Sequence, residues 1–341
     1  MNHVATRAKI FFYTALATAL LAYAAVVVNA YARVSLARVG CPVWYDCYGS
    51  TLETNEGQAL IPGPTYANTP WQAKVHPFLV AALAILVIRL FVLGRRWDAQ
   101  PNRRRVVPTI AFMLLFVVVL PDVPIFGGKV PPWATVAQLV ATLSVLALLW
   151  WLVMREQRFW KSGEESPLTG RLRPRVILAL ALIGAETLLG AWLNVGQAGL
   201  PCVEYPTCHG EWWPPMDMAA GFNLDQFLGR GAAITAMSLD ASTAVHMVHR
   251  VGALVVLLYV GWLACHIFLV GLENHLCRYG LWIMVVLLAI ISLGIMAVVM
   301  RSPIPIVVGH SAVSALLLLA LVTLYHSVFP AARADRKEPK T

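Results

Sequence analysis

The sequence predicts an all-α polytopic membrane protein in which eight transmembrane helices form two parallel four-helix repeats. Three observations support this fold class. Apolar residues make up 59% of the 341 residues and charged residues only 13%, whereas about a quarter of a typical soluble chain is charged. The apolar residues also occur in long runs, and motifs of the first half return in the second half.

The sequence contains eight apolar runs, most of which approach or exceed the length of about 20 residues that a helix needs to cross the hydrocarbon core of a bilayer. The run at 77–94 is short and contains Arg89, which lies near its end and can extend its guanidinium to the interface. The eight predicted spans are 11–31, 77–94, 106–121, 133–153, 176–196, 245–270, 280–300 and 305–327.

The distribution of basic residues predicts the topology. With the N-terminus inside, the inner segments hold 18 of the 26 Lys and Arg residues and the outer segments hold six. This asymmetry follows the positive-inside rule. We therefore expect a multi-pass protein of the cell's inner (plasma) membrane with both termini in the cytoplasm. The net charge of +9 is explained by topology, so no nucleic acid partner is predicted.

Two similar outer loops, "GCPVWYDCYG" at 40–49 and "PCVEYPTCHG" at 201–210, each carry two cysteines with five residues between them. Because the outer side is oxidising and each loop is short, we expect disulfides between Cys41 and Cys47 and between Cys202 and Cys208. Free thiols, or a zinc site built from the four cysteines, are the alternatives.

The two cysteine loops belong to a longer internal repeat. Cys41 and Cys202 are 161 residues apart, His76 and His249 are 173 apart, and Gln138 lies 172 residues before His310. An even number of spans in each copy makes the repeat parallel. The predicted units are the N-terminal repeat 1–153, a basic cytoplasmic linker 154–175, the C-terminal repeat 176–328 and a basic cytoplasmic tail 329–341.

The matched histidines predict a haem site. Two helices that each offer an imidazole at similar depth can clamp a flat macrocycle, and haem iron commonly takes two histidine ligands. His249 and His310 meet this condition in the second repeat. They could instead be interhelical hydrogen-bond partners, and His76 could be an ordinary surface residue. His246, three residues before His249, is an alternative ligand.

Four further residues have open interpretations. Glu186 lies in the middle of a span, where a carboxylate is costly, so we expect it to be protonated or paired with a polar group. Arg250 follows His249 and either binds a haem propionate or extends to the interface. Cys265 and Cys277 are expected to be buried free thiols.

The motifs together resemble the heme A synthase family, eight-span membrane proteins that serve cytochrome oxidase assembly, and in particular its proteobacterial branch. The resemblance covers about residues 10–328. Besides the cysteine loops it is carried by "GQALIP", "GGKVPPW", "LLGAWLNVGQAGLPCVEYPTCHGEWWPP", "HMVHRVGAL" and "IPIVVGHSAVSALLLLALV".

This resemblance implies an oxidoreductase that converts haem O to haem A by oxidising the ring methyl at position eight to a formyl group. It implies a haem B whose iron is held by His249 and His310, and a substrate haem in the first repeat at His76 and Gln138. Haem O synthase and oxidase assembly factors become candidate partners beside the membrane lipid, and the electron donor is unknown.

The first repeat departs from the family pattern at three positions. The family has a glutamate three residues before the first histidine, an arginine directly after it and a second histidine. Here these positions are Ala73, Pro77 and Gln138. Catalytic residues are therefore not assigned, although Glu53 and Glu56 are nearby outer acids. The alternative function is a non-catalytic haem-binding assembly or chaperone protein on the synthase scaffold.

Overall fold

The computed structural model describes residues 2–40, 71–96, 101–119, 131–156, 167–196, 198–228, 237–270 and 276–329. Its helices within these ranges are α1 (Asn2–Gly40), α2 (Trp71–Arg96), α3 (Pro101–Val119), α4 (Pro132–Glu156), α5 (Pro167–Val195), α6 (Met218–Gly221), α7 (Leu224–Phe227), α8 (Leu239–Val270), α9 (Cys277–Val299) and α10 (Ile304–Val328).

The helices confirm an all-α polytopic membrane protein. Within the described ranges, seven helices are long and apolar enough to cross a membrane. The remaining predicted span lies in α3, whose apolar part is the shorter segment Val106–Val119, because α3 begins with the polar sequence "PNRRR". Each predicted span therefore lies in a helix over its described residues, except for residues 196 and 300, which directly follow the ends of α5 and α9.

The eight long helices form two four-helix bundles. In the first bundle, α1 to α4 pack in sequential order and α4 returns to contact α1. In the second bundle, α5, α8, α9 and α10 pack in the same cyclic order. The bundles meet where α10 contacts α1 and α4, and where α4 contacts α5. Exchanging α1 with α5 and α4 with α10 leaves this set of contacts unchanged, as a parallel duplication requires. The repeat boundaries themselves stay a prediction from the sequence.

Small residues let the helices of the first bundle approach closely. Four alanines with at most 2% exposure recur along one face of α1: Ala15, Ala19, Ala22 and Ala25. Lipid is as apolar as the side chains, so close van der Waals packing takes over the role that hydrophobic burial has in water. Large apolar residues such as Leu254 and Leu258 remain exposed, as expected for surfaces that face lipid.

Hydrogen bonds also join the two bundles. The indole Nε1 of Trp150 in α4 donates to Oγ1 of Thr323 in α10 at 2.9 Å. The hydroxyl of Tyr23 in α1 donates to the carbonyl oxygen of Ala312 in α10 at 3.3 Å. Helix α10 therefore connects the second bundle to both α1 and α4 of the first.

The predicted burial of the two free thiols is wrong. Cys265 is exposed and Cys277 is partly exposed. Leu263 and Ala264 take the buried positions of that turn of α8, so Cys265 lies on the outward side. Cys277 is the first residue of α9, where the helix end is only partly covered.

Candidate functional site

The loop that follows α5 forms a compact disulfide loop, residues 201–210. Cys202 and Cys208 are bonded with an S–S distance of 2.03 Å, as their spacing predicts. His209 and Gly210 have φ angles of 55° and 79°, which turn the chain back. The backbone N–H of Gly210 donates to Glu204 Oε2 at 3.1 Å. The corresponding pair Cys41 and Cys47 lies outside the described residues.

Arg250 of α8 holds the disulfide loop. Its Nη2 donates to the carbonyl oxygen of Glu204 at 2.7 Å, and its Nη1 donates to that of Thr207 at 3.1 Å. Two longer contacts of 3.4 Å reach the carbonyl oxygens of Cys202 and Pro206. The guanidinium is therefore engaged by loop carbonyls, and both its contact with a haem propionate and its extension to the interface stay predictions.

His249 of α8 contacts a carboxylate from the neighbouring helix. Its Nδ1 lies 2.7 Å from Oε1 of Glu186 in α5, so the two side chains are in direct contact. Sequence reasoning expected Glu186 to be protonated or to pair with a polar group, and the structure identifies that group. The contact leaves Nε2 of His249 as the nitrogen available to a ligand.

His310 of α10 is held in a similar way by a neutral acceptor. Its Nδ1 lies 3.0 Å from the carbonyl oxygen of Ile290 in α9. Because a carbonyl can only accept, Nδ1 carries the hydrogen, and Nε2 is again the nitrogen available to a ligand. Gly294 provides the space for this ring, since a Cβ there would lie 3.1 Å from Cε1 of His310.

The two histidines share their surroundings. Both border a cavity that is also lined by Tyr205 of the disulfide loop and by Arg250. Both border a second cavity that reaches Arg33 of α1 in the first bundle. Helices α8 and α10 thus each place a histidine beside the same two cavities.

His246 has a different role in the structure. It is only 4% exposed, and its Nδ1 donates to the carbonyl oxygen of Ala198 at 3.1 Å, which ties α8 to the segment after α5. It borders the cavity beside the disulfide loop but not the cavity that reaches Arg33. This geometry favours His249 over His246 as the partner of His310.

The residues of the second bundle fit a haem. Histidines that bind metal usually donate their other ring N–H to a carboxylate or a backbone carbonyl, which fixes the tautomer, and His249 and His310 show both forms. In the described part of the chain, no three or more His, Cys, Asp or Glu residues come together as a metal site. A macrocycle that supplies its own equatorial nitrogens needs only two protein ligands.

The first bundle presents a different arrangement. His76 lies in α2 and is only 9% exposed, so it is not an ordinary surface residue. The amide Nε2 of Gln138 donates to the carbonyl oxygen of Val118 at 2.9 Å. Its Oε1 accepts from Nη2 of Arg33 at 3.3 Å, while Nε of Arg33 donates to Asn29 at 3.1 Å. Both polar atoms of Gln138 therefore have protein partners.

Sequence reasoning missed the contribution of α1 to this region. It assigned Arg33 to an outer segment, but Arg33 lies within the candidate span Thr6–Ser35. The signal was Asn29 followed four residues later by Arg33, a pair on one helix face. Of the other residues considered for this site, Glu53 and Glu56 lie outside the described residues, as does the side chain of Ala73.

Comparison with known proteins agrees with these features. Residues 13–322 match the COX15-CtaA family, described as cytochrome oxidase assembly protein. The chain is also 27% identical over 317 residues to the heme A synthase of Shewanella oneidensis, a match that covers 88% of this chain and 91% of that relative. The family match extends over both bundles and includes every histidine of the candidate site. The chain therefore belongs to the COX15-CtaA family of cytochrome oxidase assembly proteins.

Proposed function

We propose that this protein is a haem A synthase, which oxidises the ring methyl at position eight of haem O to a formyl group and holds a haem B in its second bundle. The observation that carries the proposal is the pair His249 and His310. Both border the same two cavities, and Nδ1 of each is engaged by a neighbouring helix. The family match and the name of the Shewanella oneidensis relative support the same activity.

In this proposal His249 and His310 hold the haem B iron through their Nε2 atoms. When bound, haem B supplies a redox-active iron within the membrane. The protein orients both imidazoles in advance, since Nδ1 of His249 lies against Glu186 and Nδ1 of His310 donates to the Ile290 carbonyl. Arg250 holds the disulfide loop, whose Tyr205 lines the cavity beside the two histidines. The charge asymmetry of the sequence supports a location of this loop on the outer side of the plasma membrane.

Haem O is the proposed substrate of the first bundle, with His76 as its histidine ligand. Gln138 is a weak partner for iron, because an amide oxygen binds it poorly and this amide already contacts Arg33 and Val118. We therefore infer that substrate haem binds through His76 in a five-coordinate or weakly six-coordinate form.

The engaged amide of Gln138 also favours a second candidate function. A protein that keeps the haem B site but whose first bundle binds no substrate would be a non-catalytic haem-binding assembly or chaperone protein. Both candidates require haem at His249 and His310. Only the synthase would also make haem A.

Expression in a host that makes haem O tests both candidates. Extracted pigments are separated by chromatography and identified by mass spectrometry. We expect a formylated haem from the wild type, and loss of most bound low-spin haem from His249→Ala and from His310→Ala. His266→Ala is the matched control, because His266 lies in α8 away from these cavities and contacts Arg175 at 2.9 Å.

The outcomes separate the candidates. Haem B without any formylated haem would favour the non-catalytic protein. Full low-spin haem in both alanine variants would show that His249 and His310 are not the ligands. Loss of haem from His246→Ala, with retention in His249→Ala, would make His246 the ligand.

A further inference from the structure

We propose that Glu186 is a positioning residue for the haem ligand His249, so that its carboxylate sets the electron-donating strength of that imidazole and lowers the reduction potential of the haem. This inference rests on the proposed haem site. It concerns a residue that touches the ligand and not the haem.

The imidazole of His249 and the carboxylate of Glu186 are in direct contact at ion-pairing distance. Oε1 of Glu186 lies 2.7 Å from Nδ1 of His249, and the two side chains are only 14% and 23% exposed. Helices α5 and α8 pack against each other along the second bundle, which holds the two groups together. If Nε2 binds iron, Nδ1 keeps its hydrogen and donates it to Glu186.

Glu186 depends on this contact. Among the described residues, the two carboxylate oxygens and Nδ1 of His249 have no hydrogen-bond partner, and the ion-pair contact between Oε1 and Nδ1 is the one that brings these groups together. A carboxylate inside a membrane span is costly when it is left alone. An apolar residue at 186 would avoid that cost, so the carboxylate is best explained by what it does to His249.

Helix α8 provides space for the carboxylate as well as the imidazole. A Cβ at Gly252 would overlap Oε2 of Glu186, and it would also lie 3.2 Å from Cδ1 of Leu189. Gly252 follows His249 by three residues, about one helical turn, and therefore lies on the same face of α8. The same face of α8 thus carries the proposed ligand His249 and, at Gly252, leaves space for the carboxylate of Glu186.

The two axial positions are consequently unequal. Nδ1 of His310 donates to the neutral carbonyl oxygen of Ile290, whereas Nδ1 of His249 faces a carboxylate. A carboxylate acceptor raises the basicity of a ligating imidazole more than a carbonyl does. A more basic ligand stabilises ferric over ferrous iron, so the pair lowers the potential of the bound haem.

Redox titration of the purified holoprotein tests this inference with three variants. Glu186→Gln keeps the shape and an oxygen acceptor but removes the charge. We expect it to retain low-spin haem while the ratio of ferric to ferrous affinity falls about tenfold, which for a one-electron couple raises the midpoint potential by about 59 mV. Glu186→Ala should show the same rise and lose haem more readily, by about 10- to 100-fold in affinity.

Gly252→Ala is the independent variant, because it displaces the carboxylate without changing any ionisable group, and its potential should rise in the same direction. Leu188→Ala is the control for helix α5, since that side chain is 47% exposed and should leave the potential unchanged.

The results distinguish this inference from the proposed function. Wild-type protein without low-spin haem at His249 and His310 would overturn both. Wild-type protein with that haem, whose potential is the same in Glu186→Gln, Glu186→Ala and Gly252→Ala, would overturn only the role of Glu186.

Discussion

A guanidinium within a transmembrane helix needs acceptors that lipid cannot supply, and Arg250 finds them in the disulfide loop. It reaches four backbone carbonyls between Cys202 and Thr207, the shortest at 2.7 Å from Glu204. A loop rich in irregular backbone has carbonyls that no helix or strand satisfies. Arg250 satisfies several of them at once, so the arginine and the loop stabilise each other.

Replacing Arg250 should therefore loosen the disulfide loop. We expect Arg250→Gln to destabilise the protein by about 2 kcal/mol, since hydrogen bonds from charged groups contribute about 1.5–3 kcal/mol each. We also expect thiol reagents to reduce the Cys202–Cys208 bond faster, which peptide mapping over time measures. Arg171→Gln is the control, because Arg171 is exposed. An unchanged reduction rate in Arg250→Gln would show that the loop is held by other contacts.

At the level of helices, α8 and α9 approach each other closely in the second bundle. A Cβ at Gly280 would lie 2.6 Å from the carbonyl oxygen of Ala264 and 2.7 Å from the backbone nitrogen of Phe268. These are backbone atoms and cannot rotate away. The contact lies at the end of α8 opposite to the disulfide loop, and it fixes how α9, which carries Ile290 and Gly294, lies against α8.

Gly280→Ala should accordingly destabilise the bundle by about 1–3 kcal/mol, the usual cost of overpacking, and lower the midpoint of thermal unfolding in detergent. Gly184→Ala in α5 is the matched control, because a Cβ there meets no atom within 4 Å and alanine has the higher helix propensity. Equal midpoints for the two variants would contradict the close approach of α8 and α9.

The sequence predicts helices better than it predicts their ends or partners. The apolar runs locate every long helix because about 20 such residues have few alternatives in a bilayer. The run at 11–31, however, extends into a helix from Asn2 to Gly40, since polar residues beyond the lipid can remain helical. The short helix α6 depends on a local cap, in which Asp217 accepts from the N–H of Ala220, and hydropathy does not reveal it.

In the candidate site too, the sequence predicts the residues better than it predicts the contacts between them. Internal repetition singles out His249 and His310 as candidate ligands, because each lies at a position that is matched in the first repeat. It does not reveal that Arg33 contacts Gln138 across 105 residues or that the partner of Glu186 is His249. Those contacts depend on how helices rotate against each other, which one sequence does not encode in a periodic signal.

Across the whole molecule, two bundles with matching helix contacts carry unequal sites. The second bundle offers two histidines with anchored Nδ1 atoms. The first offers His76 and an amide, Gln138, that is bonded to Arg33 and Val118. The two bundles thus share one arrangement of helices, but the side chains that would face a macrocycle differ between them. Under the proposed function, this difference accounts for a retained cofactor in the second bundle and a weakly held substrate in the first.

The number of haems retained per chain measures this asymmetry. We expect wild-type protein purified from a host without haem O to keep a single haem B, because the second bundle has two imidazoles for the iron and the first has one.

Gln138→His restores a second imidazole to the first bundle. Alone or combined with Ala73→Glu, it should raise the retained haem towards two per chain. In a host that makes haem O, the double variant should also make more haem A than the wild type. Haem and protein are quantified together, with His76→Ala added to each background as the control. Two haems in the wild type, one of them lost in His76→Ala, would show that haem displaces the contacts of Gln138 with Arg33 and Val118, and that the first bundle is a competent site as it stands.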